Sequence, residues 1–344
     1  MKNRTKNPAN LFFYPVFIFL FIFAAFIHCG SAQQEESQPQ LKAGRSFSDK
    51  PPHYDVSVAD PAYEKGKGPV VLFDQGHQNL HSITGIQSYR AFADIIQNDG
   101  YVVKVNESKF IDENIKGHDI LVIVNALEER NVDRKTWEKP PYYPAFTPEE
   151  VKTVHEWVKK GGNLFLIADH QPFGQAAYEM AEAFGIILST GEAVDPNDKD
   201  LYTRENGKLL DHPVTRGRKE SEKVNKVITV VGESFQAPEG SGFLKFSESA
   251  YDVDPATKKQ RPIPGHFQGA AFAYGQGRVV VLGEAAMLAV NYLAVKTNNG
   301  VFFPPTPPER VGGPMNPKQA DNRKLLLNIM HYLSGLLEPG VKAR

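Results

Sequence analysis

Four apolar runs constrain this chain more than any other feature. VVLF at Val70 to Phe73, ILVIV at Ile120 to Val124, NLFLIA at Asn163 to Ala168 and RVVVL at Arg278 to Leu282 are apolar nearly throughout rather than at every second residue. Strands written this way must be covered on both faces, which is the condition of a parallel sheet flanked by helices. A fifth run, Tyr101 to Val105, has the same β-branched character. The intervals read as helices. Tyr89, Phe92, Ala93 and Ile96 recur at helical spacing before Gly100 stops them. Thr147 can accept from the backbone amide of Glu150, Pro148 takes the first helical position, and Val151, Val154 and Val158 form a stripe that ends at Gly161-Gly162. Further helices are expected from about Gln175 to Phe184 and around Leu325, Leu326, Ile329 and Leu333.

The rest of the organisation follows from where this pattern is missing. Lys2, Arg4 and Lys6 precede an uncharged apolar run from Leu11 to Ile27, and Gly30-Ser31-Ala32 supplies small residues after it. Residues 1–32 therefore read as a signal peptide cleaved after Ala32, with a retained membrane anchor as the competing reading. The expectation is a secreted or periplasmic protein with no stable membrane span in its mature form. Cys29, the single cysteine, offers the alternative of a lipoprotein anchored at that residue. The mature chain then has no disulfide, no cysteine ligand and no thiolate nucleophile. Residues 33–68, polar and rich in proline, read as a flexible tether, residues 69–337 as the α/β domain, and residues 338–344 as a tail. Within the domain, residues from about 188 to 264 lose the alternation around one expected strand at Val227 to Val231, and read as an irregular insertion or satellite. A net charge of -1 and the absence of basic runs argue against nucleic acid as a partner.

Function is read from how the strands end. In an open parallel sheet the carboxyl ends of the strands form the rim where ligands bind. Here the first strand ends in Asp74-Gln75-Gly76-His77, the third in Asn125, the fourth in Asp169-His170 and the last in Glu284. Asp74, His77, Asp169, His170 and Glu284 are the candidate catalytic set. Two chemistries could use them. Asp74, His77 and His170 offer oxygen and nitrogen donors for a divalent metal such as zinc, which would activate a water. Alternatively, a carboxylate and a histidine work as acid and base without metal. Gln75, Asn125, His266 and Gln268 are the ligand-binding candidates, the last two from PGHFQGAAF, a segment able to fold over the rim. Five of them have a structural reading as well: Asp74 and Asp169 as caps of the following helices, His170 as a local hydrogen-bonder in the turn before a helix, Asn125 as a loop hydrogen-bonder, and Glu284 as half of an ion pair, with Arg278 at the other end of its strand. Gly275-Gln276-Gly277 reads as a hairpin turn. No phosphate-binding GxxxxGK[ST] or GxGxxG pattern is present.

The order VVLFDQGH, DILVIVNAL, TPEEVKTVHEWVKKGGNLFLIADHQPFG and FQGAAFAYGQGRVVVLGEAAML resembles the class I glutamine amidotransferase-like superfamily, specifically its exported bacterial members. The resemblance spans most of Pro69 to Leu337 and implies a flavodoxin-like, doubly wound sheet. It departs at the chemistry. Members with glutaminase activity carry a cysteine after the strand that is NLFLIAD here and a histidine with an acid after the last strand. Asp169-His170 and Glu284-Ala285 occupy those places, so the chain is not a glutaminase. The expectation is a small polar ligand, such as a carbohydrate fragment stacked on the aromatic loop Trp137 to Phe146, either hydrolysed by the Asp, His and Glu set or bound by a noncatalytic recognition or assembly module.

Overall fold

The computed structural model describes residues 53–83, 89–197, 200–290, 295–297, 300–302 and 313–343. The expected signal peptide, Cys29 and residues 33–52 of the expected tether lie outside them. The protein is mixed α/β around a large, mainly parallel nine-stranded sheet. Its strands are β1 (Val70–Asp74), β2 (Val102–Asn106), β3 (Ile120–Val124), β4 (Asn163–Ile167), β5 (Ile187–Leu188), β6 (Phe235–Gln236), β7 (Gly242–Lys245), β8 (Phe267–Tyr274) and β9 (Gly277–Leu282). They run in the order β2-β1-β3-β4-β9-β8-β6-β5, with β7 also paired to β8. The first five are parallel, and β8 turns antiparallel against β9.

The apolar runs do what their composition requires. Along β3, Ile120, Val122 and Val124 face Phe92 and Ile96 of α1 (Arg90–Asn98) and Leu325 and Ile329 of α4 (Asn322–Leu333). Leu121 and Ile123 face the opposite way, toward Val154 and Val158 of α2 (Pro148–Lys159) and Met180 of α3 (Phe173–Glu182). Both faces of the strand are thus dry, and the alternation of side chains splits the core in two.

Register then decides where the strands end. Ile120 pairs with Asn163 and Asn163 with Arg278, while Val124 pairs with Ile167 and Ile167 with Leu282. Three apolar runs of equal reach therefore finish level, and the polar residues that follow them emerge along one edge. Thr147 and Glu150 complete the expected capping box, with Thr147 Oγ1 accepting from Glu150 N at 3.3 Å and Glu150 Oε2 from Thr147 N at 3.0 Å.

Three segments differ from their sequence reading. Part of residues 188–264 joins the central sheet as β6 and β7, and the rest forms two small sheets, so the stretch is less a satellite than an extension. The expected strand in it is Lys226–Ile228. Residues 53–68, read as the end of a tether, have no helix or strand yet are packed. Tyr54 is buried and donates to Met315 O at 2.6 Å, and Tyr63 meets Tyr101 edge-on at 5.2 Å. The tail is likewise held, because Ala343 N donates to Ala273 O and Ala273 N to Val341 O, both at 2.9 Å.

The β8–β9 hairpin forms at the glycines that signalled it. Gly275 has φ +59, as the first position of a tight hairpin turn requires. Gly277 is constrained by space: a Cβ there would lie 1.9 Å from Gly162 O and 2.5 Å from Val158 O. Gly277→Ala is expected to destabilise the protein by about 1–3 kcal/mol in chemical denaturation, because the backbone must shift to admit one methyl.

Candidate functional site

The rim residues do not form one catalytic pocket. Asp74, His77 and Glu150 form the first group. The end of β1 turns sharply, placing the His77 ring against Asp74, with Nδ1 2.9 Å and 3.0 Å from the two carboxylate oxygens. On the other side, Nε2 is 2.8 Å from Glu150 Oε1. Phe110 and Phe146 cover the ring at centroid distances of 4.5 Å and 4.8 Å. All three polar residues are buried. An imidazole with a carboxylate on each nitrogen is placed to donate on both sides, so it is the protonated ring that satisfies the site. Burial opposes the charge, but the hydrogen bonds and charges of Asp74 and Glu150 outweigh it and hold His77 above its ordinary value. Glu150 also accepts from Phe110 N at 3.0 Å. Despite its burial, these donors, led by the Thr147 amide and His77, hold it below the usual carboxylate range.

This geometry sets Asp74 and His77, both catalytic and metal candidates in the sequence, in a buried cluster with Glu150. Both His77 nitrogens are engaged by carboxylates, and the ring is buried. Asp74 does not cap a helix; it accepts from Gly76 N at 3.2 Å and Asn79 Nδ2 at 3.1 Å as well as from His77. His170, the third member of the expected metal set, stands apart at the end of β4 and directs Nδ1 to Gln171 O at 3.1 Å. Among the described residues no three His, Cys, Asp or Glu side chains converge to hold a metal. The donor set does not fit a zinc centre.

The second group lies at the ends of β4 and β9. Asn125, strained at φ +45, accepts from Asp169 N at 3.0 Å through Oδ1, while its Nδ2 is buried without a partner. Asp169 accepts from His170 N at 2.8 Å rather than capping α3. Glu284 is buried and pairs with no arginine among the described residues: its carboxyl accepts from the amides of Ala286 and Met287, the latter at 2.7 Å. Arg278 instead donates to Tyr332 O and Leu337 O, both at 2.7 Å. Burial raises Asp169, and burial with the Asp169 charge raises Glu284 well above the carboxylate range. Glu233, unremarked in the sequence, is a third acid here, raised well above its ordinary value first by burial, with Asp169 adding to the effect. It accepts from Thr190 N at 3.1 Å.

The remaining candidates divide between cavities and core. Gln268 is buried, with Oε1 accepting from Tyr202 OH at 2.8 Å. His266 lines a cavity of about 300 Å³ beside β5 and bonds Ser234 Oγ at 2.9 Å. Gln75 alone reaches the larger cavity, about 410 Å³, which opens over the loops after β1 and β3 and includes Gln78, Leu80, Ser82, Leu127, Arg134 and Trp137. Nothing periodic in the sequence marks Arg134 or Gln78; the closeness of Arg134 to Trp137 in a loop that follows a buried strand is the one signal the sequence holds for this lining.

No protein-family model matches the chain, and no curated protein sequence matches it. Among solved structures, the mmIFT52 N-terminal domain superposes with a TM-score of 0.51 at 12% identity, over 77% of this chain and 97% of that one. The likeness is one of fold. A ThuA-like protein from Bacteroides uniformis aligns over 83% of this chain and 95% of its own, with TM-score 0.40 and 11% identity. A cytoplasmic protein from Salmonella typhimurium LT2 aligns over 77% and 98%, with TM-score 0.41 and 13% identity.

The His77 arrangement has a signed pH dependence. A raised His77 contributes stability that is full below pH 6.5 and is lost as pH rises through its folded value; a lowered Glu150 contributes stability that is full above pH 4.5 and is lost as pH falls through its folded value. His77→Ala is expected to cost about 3–5 kcal/mol between those limits, since it leaves buried carboxylates uncompensated. The difference between wild type and variant should shrink as pH rises above 6.5, measured by urea unfolding across the range.

Proposed function

We propose that the chain is an exported, noncatalytic binding module of the class I glutamine amidotransferase-like superfamily, with a flavodoxin-like sheet, and that it takes a small polar ligand in the cavity over β1 and β3. Export rests on the basic start and apolar run of residues 1–32. Superfamily membership rests on the order of sequence motifs from VVLFDQGH to GQGRVVVLGEAAML, supported by the β2-β1-β3-β4 strand order.

One observation carries the choice of binding over hydrolysis. The acid and imidazole groups best able to do chemistry are spent inside the fold: His77 on two carboxylates, and Glu284 on two backbone amides. The open cavity beside them is lined by Gln75, Gln78, Asn79, Ser82, Arg134 and Trp137, with apolar Leu80, Leu127 and Val132, and includes no carboxylate or imidazole among the described residues. Such a lining recognises a ligand but supplies no general base within it.

The test combines binding and turnover. Screening sugars, amino acids and organic acids by thermal shift should find a ligand that raises the melting temperature of wild type and is recovered unchanged after long incubation. Val132→Trp, which fills the cavity, should abolish that shift, while Asp169→Asn should retain it. Conversion of the ligand by wild type, lost in Asp169→Asn, would contradict the reading and favour the hydrolase.

A further inference from the structure

We infer that the cavity over β1 and β3 selects a small organic carboxylate, held by the guanidinium of Arg134. This rests on the cavity being the binding site proposed above. Arg134 begins a 3₁₀ turn, Arg134–Thr136, whose N-cap Asp133 accepts from Lys135 N at 3.0 Å. Its guanidinium carbon sits 4.9 Å from the centroid of the Trp137 ring, and no carboxylate pairs with it among the described residues. Neighbouring Arg130 shows the contrast: it is bonded by Glu128 at 2.9 Å and lies 3.4 Å over Tyr143. Arg134 therefore faces the cavity with its donors and its full charge.

The other lining groups favour the same ligand. Gln75 Oε1 accepts from Ser82 Oγ at 2.7 Å and Ile83 N at 3.0 Å, which leaves the Nε2 donor of the same carboxamide for the cavity. Asn79 is spent on Asp74 and on Val124 O, each at 3.1 Å. Beside the cavity, burial first and the Arg134 charge second bring His81 down to about 4, so it stays neutral and adds no second cation. The surplus is one positive fork and amide donors against an apolar wall of Leu80, Leu127 and Val132. A carboxylate matches one guanidinium fork bidentately, and a compact organic body fits the apolar wall.

The sugar stacking expected of the aromatic loop Trp137 to Phe146 fits less well at Trp137, the ring of that loop that lines the cavity. Its Nε1 donates to Asn131 O at 2.8 Å, Phe173 packs against it at 5.1 Å and 73°, and Arg134 lies over the ring. The indole is a fixed support for the cation rather than an open platform. An uncharged sugar would leave the guanidinium without its counter-charge.

The test is titration calorimetry of the full chain with glucuronate, benzoate, glucose and inorganic phosphate, on wild type, Arg134→Gln and Val132→Trp. Glucuronate or benzoate should bind wild type, weaken about tenfold or more in Arg134→Gln, as loss of a charge-assisted bond implies, and fail to bind Val132→Trp. Comparing the two acids separates a sugar acid from an aromatic one. Because Arg134 is exposed, Arg134→Gln should keep the wild-type melting temperature. Glucose binding as tightly as glucuronate, lost in Val132→Trp but indifferent to Arg134→Gln, would overturn the carboxylate selectivity and leave the binding site standing. Phosphate binding in preference to both acids would also overturn the selectivity. Absence of binding by all four probes would overturn the selectivity, and an unchanged thermal-shift response of Val132→Trp to the broader panel would overturn the site as well.

Discussion

A single imidazole between two buried carboxylates joins three parts of this molecule. His77 belongs to the turn after β1, Asp74 ends that strand, and Glu150 stands in the first turn of α2, 73 residues further on. Glu150 also accepts the Thr147 amide and the Phe110 amide, so one side chain ties the helix cap, the segment after β2 and the β1 turn. Charge inside a protein is costly unless paired and hydrogen-bonded. Here the pairing is complete, with Phe110 and Phe146 stacked at 5.8 Å and closing the site from water. The arrangement fixes where the loop bearing Gln75 to Leu80 leaves the core, and with it one wall of the cavity.

The same rim carries the opposite electrostatic solution at β4 and β9. Asp169, Glu233 and Glu284 lie near one another, with His170 Nε2 3.8 Å from Asp169 Oδ1, and burial drives Glu233 and Glu284 toward the neutral form. Backbone amides of Thr190, Ala286 and Met287 offset part of that cost. Along one sheet edge, then, acids are satisfied either by imidazolium or by peptide donors. The loop surface above β1 and β3 stays open to solvent, with Arg134 in its lining.

The sheet was legible because its strands are apolar on both faces: the runs at Ile120, Asn163 and Arg278 and the TPEE cap coincide with observed elements. The alignment of polar residues on one edge was also legible, since runs of equal reach in register end together. What could not be read was which polar residues meet. Glu150 had a complete local explanation as a capping-box partner, and nothing in the sequence announced that its other oxygen reaches His77. Likewise Glu284 suggested an arginine, whereas the 3₁₀ turn that follows, Ala286–Leu288, brings amides to the carboxyl instead. The cavity escaped for a different reason. It is built from two loops, 75–82 and 127–137, whose spatial neighbourhood is set by tertiary packing rather than by period.

The account depends on His77 being a protonated clamp. The direct measurement is an NMR titration of the ¹⁵N-labelled imidazole of His77. The structure requires both ring nitrogens to carry protons at pH 6.5, with the ring titrating only above that value. A neutral His77 ring at pH 6.5, with one nitrogen bare and shifting on addition of zinc, would contradict it.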